Sequence, residues 1–298
     1  MAKMNQKSET LPAMPFIIGM PFSGTTLLRL MLDAHPDVAI PPGTRFVPHV
    51  AQLDTRAQLD KHLFANVIFS VPTWPDLQIP NSLLLDELNK MPVFSAAAAI
   101  RLVYRIYSSR FQKTRSGDKT PGYAYSINII SRLLPEAYFI HVIRDGRDVA
   151  LASLAHHSWH RFGSMTAHAT EWKRRIHASW HAALQCPRFV DIKYEDLVTD
   201  TESVLRRLCA AIDLPFTDKM LTCHLTADER MAELQDCNQP NGLLAREERL
   251  RGYELLSKPP QASEIGRWRN ELGRSAIEEY EQTAGDLLAG LGYEVRAT

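Results

Sequence analysis

Three short stretches of this chain carry groups suited to holding an anion. Gly19-Met20-Pro21-Phe22-Ser23-Gly24-Thr25-Thr26 fits G-x-x-x-x-G followed by two threonines, with Thr25 at the place a phosphate loop gives to lysine. Glycines let such a segment curl until successive backbone N–H groups face one point, and the positive end of a following helix favours an anion there. The hydroxyls of Ser23, Thr25 and Thr26 add donors. Without the lysine the loop is poorly suited to ATP or GTP hydrolysis, which needs strong cationic and Mg²⁺ neutralisation of developing charge. In Arg144-Asp145-Gly146-Arg147-Asp148 a guanidinium meets a helix start, so Arg144 is placed to grip a phosphate bidentately. Asp145 then reads as the helix cap, and Arg147 and Asp148 as solvated charges of the first turn. Asp118-Lys119-Thr120-Pro121, after Ser116-Gly117, reads as a turn in which a lone lysine serves the solvated surface as readily as a reaction.

The elements that must position these groups follow from hydrophobic pattern. Pro15 to Gly19 is a short apolar run ending in glycine, and the leucine-rich segment Thr26 to Ala34 after the loop predicts a buried helix. A second strand, loop and helix begins at Ala137 to Ile143, turns at Arg144 to Arg147 and continues through Val149, Leu151 and Leu154. A third strand, Phe189 to Ile192, precedes Thr199-Asp200-Thr201-Glu202, whose Thr and Glu three apart predict a capping box opening a helix through Ala211. Strands alternating with helices predict an α/β protein of P-loop type, three layers with a mostly parallel central sheet flanked by helices. Ligands collect beyond the carboxyl ends of such strands, where both anion motifs lie. Residues 54–115 predict a helical cap broken at Pro72, Pro75 and Pro80. Leu255 to Gly266 predicts a long loop before a final helix from about Ser275 to Leu288. We expect a flexible tail over residues 1–13 and one domain over 14–298.

Lysine plus arginine total 34 and aspartate plus glutamate total 34, so no global basic field draws the chain to nucleic acid or anionic membrane. No stretch has the roughly 20 apolar residues of a membrane span and the start lacks the apolar core of a secretory signal, which makes a cytoplasmic protein the expectation. The four cysteines are widely separated and form no CxxC pair, so we expect reduced thiols and no metal site.

Taken in this order, the motifs resemble those of sulfotransferases that use 3′-phosphoadenosine 5′-phosphosulfate (PAPS). Pro21 to Thr26 is similar to the family's 5′-phosphosulfate loop, and Phe139 to Asp148 to its 3′-phosphate motif. Ser23 through Val38, with Thr44-Arg45, is especially similar to tyrosylprotein sulfotransferases and their bacterial relatives. Lys119-Thr120-Pro121, Tyr194 to Leu197, Lys258-Pro259 and Gly266-Arg267-Trp268 match shorter family signatures. The resemblance implies that Phe22, Ser23, Gly24, Thr25 and Thr26 line the 5′-phosphosulfate, and that Arg144 with a helix serine holds the 3′-phosphate. It also places Tyr194 near the adenine and Lys258 on a donor phosphate, and sets Lys119 against the departing bridging oxygen. The reaction implied is transfer of a sulfuryl group to a hydroxyl or amine of a small-molecule acceptor, without metal, leaving adenosine 3′,5′-bisphosphate (PAP). Nothing in the sequence opposes a homodimer.

The sequence departs from the family at three places. Phe22 stands where relatives carry Arg or Lys, Gly43 where the tyrosylprotein enzymes carry the presumed general-base Glu, and Ala152 where the 3′-phosphate serine falls, with Ser153 adjacent. A substitute base is sought in His157 or its neighbour His156. These departures keep open a non-catalytic protein that binds PAPS or PAP. A P-loop kinase is disfavoured by the missing lysine. Phe46, Phe64, Phe69, Trp74 and Trp159 could line an acceptor pocket, although core packing accounts for most such residues.

Overall fold

The computed structural model describes residues 11–54, 59–155, 162–239 and 242–295. At its centre lies β1, Met14–Gly19, whose six residues are all buried, as a strand covered on both faces requires. On one side β1 pairs in parallel with β5, Ala137–Ile143, in the register Phe16 with Phe139 and Gly19 with Val142. On the other it pairs with β4, Asp118–Lys119, matching Phe16 to Asp118 and Ile17 to Lys119. Strand β6, Phe189–Lys193, adds to β5, giving the wholly parallel order β4-β1-β5-β6. Two-stranded pairings complete the strands: β2, Val38–Ala39, with β3, Arg115–Ser116, and β7, Cys237–Gln239, with β8, Gly242–Leu244.

Side-chain alternation along the strands builds the layers. Ile17, Ile140, Val142 and Ile192 pack against α1, Thr25–Asp33, and α10, Thr201–Ala211. Phe16, Ile18 and Phe139 face the opposite side, toward α2, Val47–Asp54, α3, Lys61–Ser70, α4, Asn81–Lys90, α5, Ala96–Ser109, and α6, Ile127–Leu133. Farther along that side Met20 and Ile143 meet α7, Gly146–Leu154, α8, Met165–Ala183, α13, Trp268–Glu271, and α14, Arg274–Gly290. The remaining short helices are α9, Tyr194–Thr199, α11, Ala227–Met231, and α12, Arg246–Leu250.

Of the helices between 47 and 109, α3 is opened by Asp60, which accepts from Leu63 N–H, and α5 by Ser95, which accepts from Ala98 N–H. Phe64 of α3, Phe46 just before α2 and Trp74 of the 3₁₀ turn Trp74–Leu77 share one core with Phe16 and Phe139 of the sheet. All four cysteines are buried and free. Among the described residues no helix is long and apolar enough to cross a membrane.

Two local expectations change. Lys119 lies on a strand and not in a turn, because pairing to Ile17 extends its backbone. The capping box at Thr199 does not form. Helix α9 runs through Thr199, whose hydroxyl donates to Glu195 O at 2.9 Å, and Asp200 opens α10 without a side-chain bond.

Candidate active site

Two glycines shape the loop after β1. Gly19 has φ 149°, and a Cβ there would lie 2.6 Å from Val142 O; Gly24 has φ 96°, and a Cβ would lie 2.3 Å from the Tyr194 ring. Only glycine fits either position without displacing the sheet or the tyrosine. Gly24 caps α1 without any side-chain bond, so the first N–H groups of that helix remain for another acceptor. Ser23 Oγ is buried with no partner, and Thr25 is buried beside half-buried Thr26. Orphaned donors around a helix start fit an anion.

Phe22 enters this site through its backbone. It takes φ 69°, a left-handed conformation that is strained for a phenylalanine. Its ring packs against the core formed by Met20, Ile143 and Trp172, while its carbonyl accepts from Arg144 Nη1 at 3.1 Å. Arg144, at the end of β5, is buried; its Nη2 donates to Glu264 O at 2.7 Å and its guanidinium lies 4.4 Å from the centre of the Tyr194 ring. The Nε has no partner. Tyr194, buried at the start of α9, thus touches both anion motifs, and its burial pushes the phenol up.

The rest of the second motif is interior. Asp145 accepts from Arg147 N–H at 2.9 Å, as a cap should. Arg147 and Asp148, expected in solvent, are buried. Arg147 pairs with Asp145 at 2.8 Å and with Glu281, and stacks 3.6 Å from the Trp268 ring. Asp148 accepts from Gly266 N–H at 2.7 Å and Trp268 N–H at 2.9 Å, fastening the segment that also supplies Glu264 O to Arg144. Ser153 lies in the core: its hydroxyl donates to Val149 O at 2.9 Å and sits 3.2 Å from His168 Nε2. Burial lowers His168 to about 4, so this histidine is neutral near pH 7.

Lys119 stands half-buried on β4, next to β1. Adjacent Asp118 is fully buried and accepts from Thr44 Oγ1 at 2.5 Å and Tyr104 OH at 2.7 Å. Burial, reinforced by the Arg29 guanidinium, lowers the Lys119 amine to about 7; Asp118 opposes this, and Arg45 and Arg249 add to it. Gly43 borders the same strand, and a Cβ there would lie 3.3 Å from Lys119 O. Lys258 follows the turn Glu254–Ser257, exposed and without a side-chain partner among the described residues. His157 lies outside the described residues, as do His156 and Trp159. Among the described residues no group of three or more His, Cys, Asp or Glu is arranged to hold a metal.

Sequence reasoning missed Asp148 as a fastener, because its partners lie 118 and 120 residues away. It also missed Arg175 and Glu171, one helical turn apart on α8, where Arg175 Nη1 donates to Gly19 O. Only the helical pattern around Trp172 could have hinted that this face meets the sheet.

A glycine-shaped loop ending one central parallel strand and a buried arginine ending its neighbour define an α/β protein with both groups side by side at the carboxyl end of the sheet. Residues 15–218 match the model of the sulfotransferase family, and the chain belongs to that family. It is 26% identical to a protein-tyrosine sulfotransferase of Drosophila melanogaster over 94% of this chain and 51% of that protein. It is 25% identical to protein-tyrosine sulfotransferase A of Caenorhabditis elegans over 95% of this chain and 67% of that one. The chain therefore spans about half the length of the Drosophila relative. A solved sulfotransferase domain from the curacin biosynthetic pathway shares the fold with TM-score 0.58 at 20% identity, over 96% of this chain and 99% of that domain.

Proposed function

We propose that this protein transfers a sulfuryl group from PAPS to a hydroxyl or amine of a small-molecule acceptor. The observation that carries the reading is Arg144. Its guanidinium bridges the phosphate loop at Phe22 O, the Tyr194 ring and the Glu264 carbonyl while its buried Nε stays unpartnered. A donor bearing separate 3′ and 5′ anions matches an arginine fixed beside a loop of free N–H groups. When bound, PAPS supplies an electrophilic sulfur with a phosphate oxygen as leaving group.

This chain's residues would then do the following work. The N–H groups at the start of α1, with Ser23, Thr25 and Thr26, orient the 5′ end; Tyr194 shapes the adenine side, with Arg144 on the 3′-phosphate. Exposed Lys258 is free to reach a donor phosphate. Lys119, in its ammonium form, faces the oxygen on which charge develops, and such a donor acts most strongly in the transition state. Gly43 brings no carboxylate, so an acceptor proton leaves to solvent or to His157. The buried Ser153 hydroxyl would have to leave Val149 O to reach a phosphate, and Arg144 is the firmer 3′ ligand.

A second acceptor class is favoured by the names of the curated relatives, which are protein-tyrosine sulfotransferases. Incubation with PAPS and separate panels of phenols, alcohols, amines and tyrosyl peptides distinguishes the classes. We expect PAP release coupled to sulfation of a small phenol, alcohol or amine. Sulfation confined to peptides would replace the acceptor assignment, and tight PAP binding with no transfer to any panel would leave a binding protein.

A further inference from the structure

The eight residues from Gly19 to Thr26 contain no basic side chain, so positive charge at the 5′ end must come from other elements. Lys119 arrives along the sheet, on β4. A second cation arrives across the sheet face opposite α1. On α8, Trp172 and Ile176 are buried against Met20 and Ile143, and Arg175, on the same side of the helix, reaches the carboxyl end of β1. Its Nη1 donates to Gly19 O at 3.4 Å and its Nε pairs with Glu171 Oε1 at 2.7 Å. Tyr125 OH donates to that same Glu171 oxygen at 3.0 Å, and the Arg175 guanidinium lies 5.2 Å from the Tyr125 ring. Glu171 Oε2 is held by Arg174.

Tyr125 ends the 3₁₀ turn Pro121–Tyr125, which begins two residues after Lys119. Contacts therefore run from Lys119 through this turn to Tyr125, Glu171, Arg175 and back to Gly19, the first residue of the loop. Burial pushes the Glu171 carboxyl up, but hydrogen bonds from Arg174 and Arg175 outweigh it and keep the carboxylate charged, so it stays a fixed anchor. Arg147 is committed to two carboxylates and Arg144 to two carbonyls and a ring. Arg175 differs: its Nη2 has no hydrogen-bond partner among the described residues, its side chain is 16% exposed, and its bond to a neutral carbonyl is long. A guanidinium in that state gains most from an anion placed beside it.

We propose that Arg175 is a binding residue for the 5′-terminal phosphosulfate, taking it through Nη2 while Nη1 retains the loop carbonyl and Glu171 fixes the guanidinium plane. This rests on the reading of the loop as the PAPS 5′ site. It gives the loop the positive side chain that Phe22 cannot supply.

The test compares PAP with adenosine 3′-phosphate, which lacks the 5′ group, by titration calorimetry on the full chain and on Arg175→Gln and Arg175→Lys. Arg175→Gln should weaken PAP by about 10- to 100-fold, the worth of one hydrogen bond to a charged group. It should leave the affinity of the folded protein for adenosine 3′-phosphate unchanged, while Arg175→Lys recovers part of the loss. Equal losses for both ligands would reduce Arg175 to a structural support, and no loss for PAP would remove it from the site. If the unmodified protein itself fails to prefer PAP over adenosine 3′-phosphate, the 5′ site is misplaced and both readings fall.

Discussion

Lys119 is the residue on which the chemistry should turn. Charge on the departing oxygen grows along the reaction, so Lys119→Ala should lower kcat by about 10²–10³ while weakening PAP far less. Near-normal kcat would return this lysine to a structural role. Its pH behaviour is a separate check. With the amine at about 7 in the free protein, Lys119 is mostly neutral above that pH, and a bound anion favours the charged form. PAP binding should therefore take up protons at pH 8 and weaken as pH rises above 7. Calorimetry at pH 8 in buffers of different ionisation heat measures the uptake, which Lys119→Met should abolish; equal uptake in both proteins would contradict the assignment. The lysine was visible in the sequence but its setting was not. Asp118-Lys119 has no apolar run of its own and is a strand only because β1 pairs with it.

At the scale of elements, strand, loop and helix were legible wherever one continuous signal carried them. The apolar run into Gly19, the leucine-rich α1 and the apolar β5 ending at Arg144 each declare themselves within a dozen residues. Features that depend on distant partners were not. Arg147 and Asp148 read as solvated, yet Trp268, Glu281 and the Gly266 turn bury them. Thr199 read as a cap, yet the preceding helix claims it. The contacts of the Ser153 hydroxyl with Val149 O and His168 were equally hidden, since the helix pattern does not show what α8 brings to it. Asp148 offers the test at this scale. Asp148→Ala leaves the N–H groups of Gly266 and Trp268 without acceptors, at about 1–3 kcal/mol for a buried orphan. It also loosens the segment that presents Glu264 to Arg144. Urea unfolding should show the loss, and PAP titration a weaker complex; unchanged values in both would mean water replaces the carboxylate fully.

For the whole molecule, equal numbers of acidic and basic residues coexist with local concentrations of cation at the ends of β4 and β5. A ligand that engages both corners should stabilise the entire fold. PAP at about 100 times its dissociation constant should add about 2.7 kcal/mol, and ATP with Mg²⁺ at the same concentration much less, for want of a 3′-phosphate. Thermal melts decide this, and equal shifts would dissolve the two-corner picture. The guanidinium of Arg144 also has a consequence for turnover. In the free protein it is already occupied, by Phe22 O from the loop and Glu264 O from the far end of the chain. Only two of its five N–H groups are spent in this way, so a phosphate arriving there meets the unpartnered Nε and the second N–H of each terminal nitrogen, and binding needs no exchange of ligands. The same two carbonyls are tethered at the site when the product loosens. They act as stays that set the plane of the guanidinium before a nucleotide arrives and keep it after one leaves, so the arginine has no rotamer to find anew at each encounter.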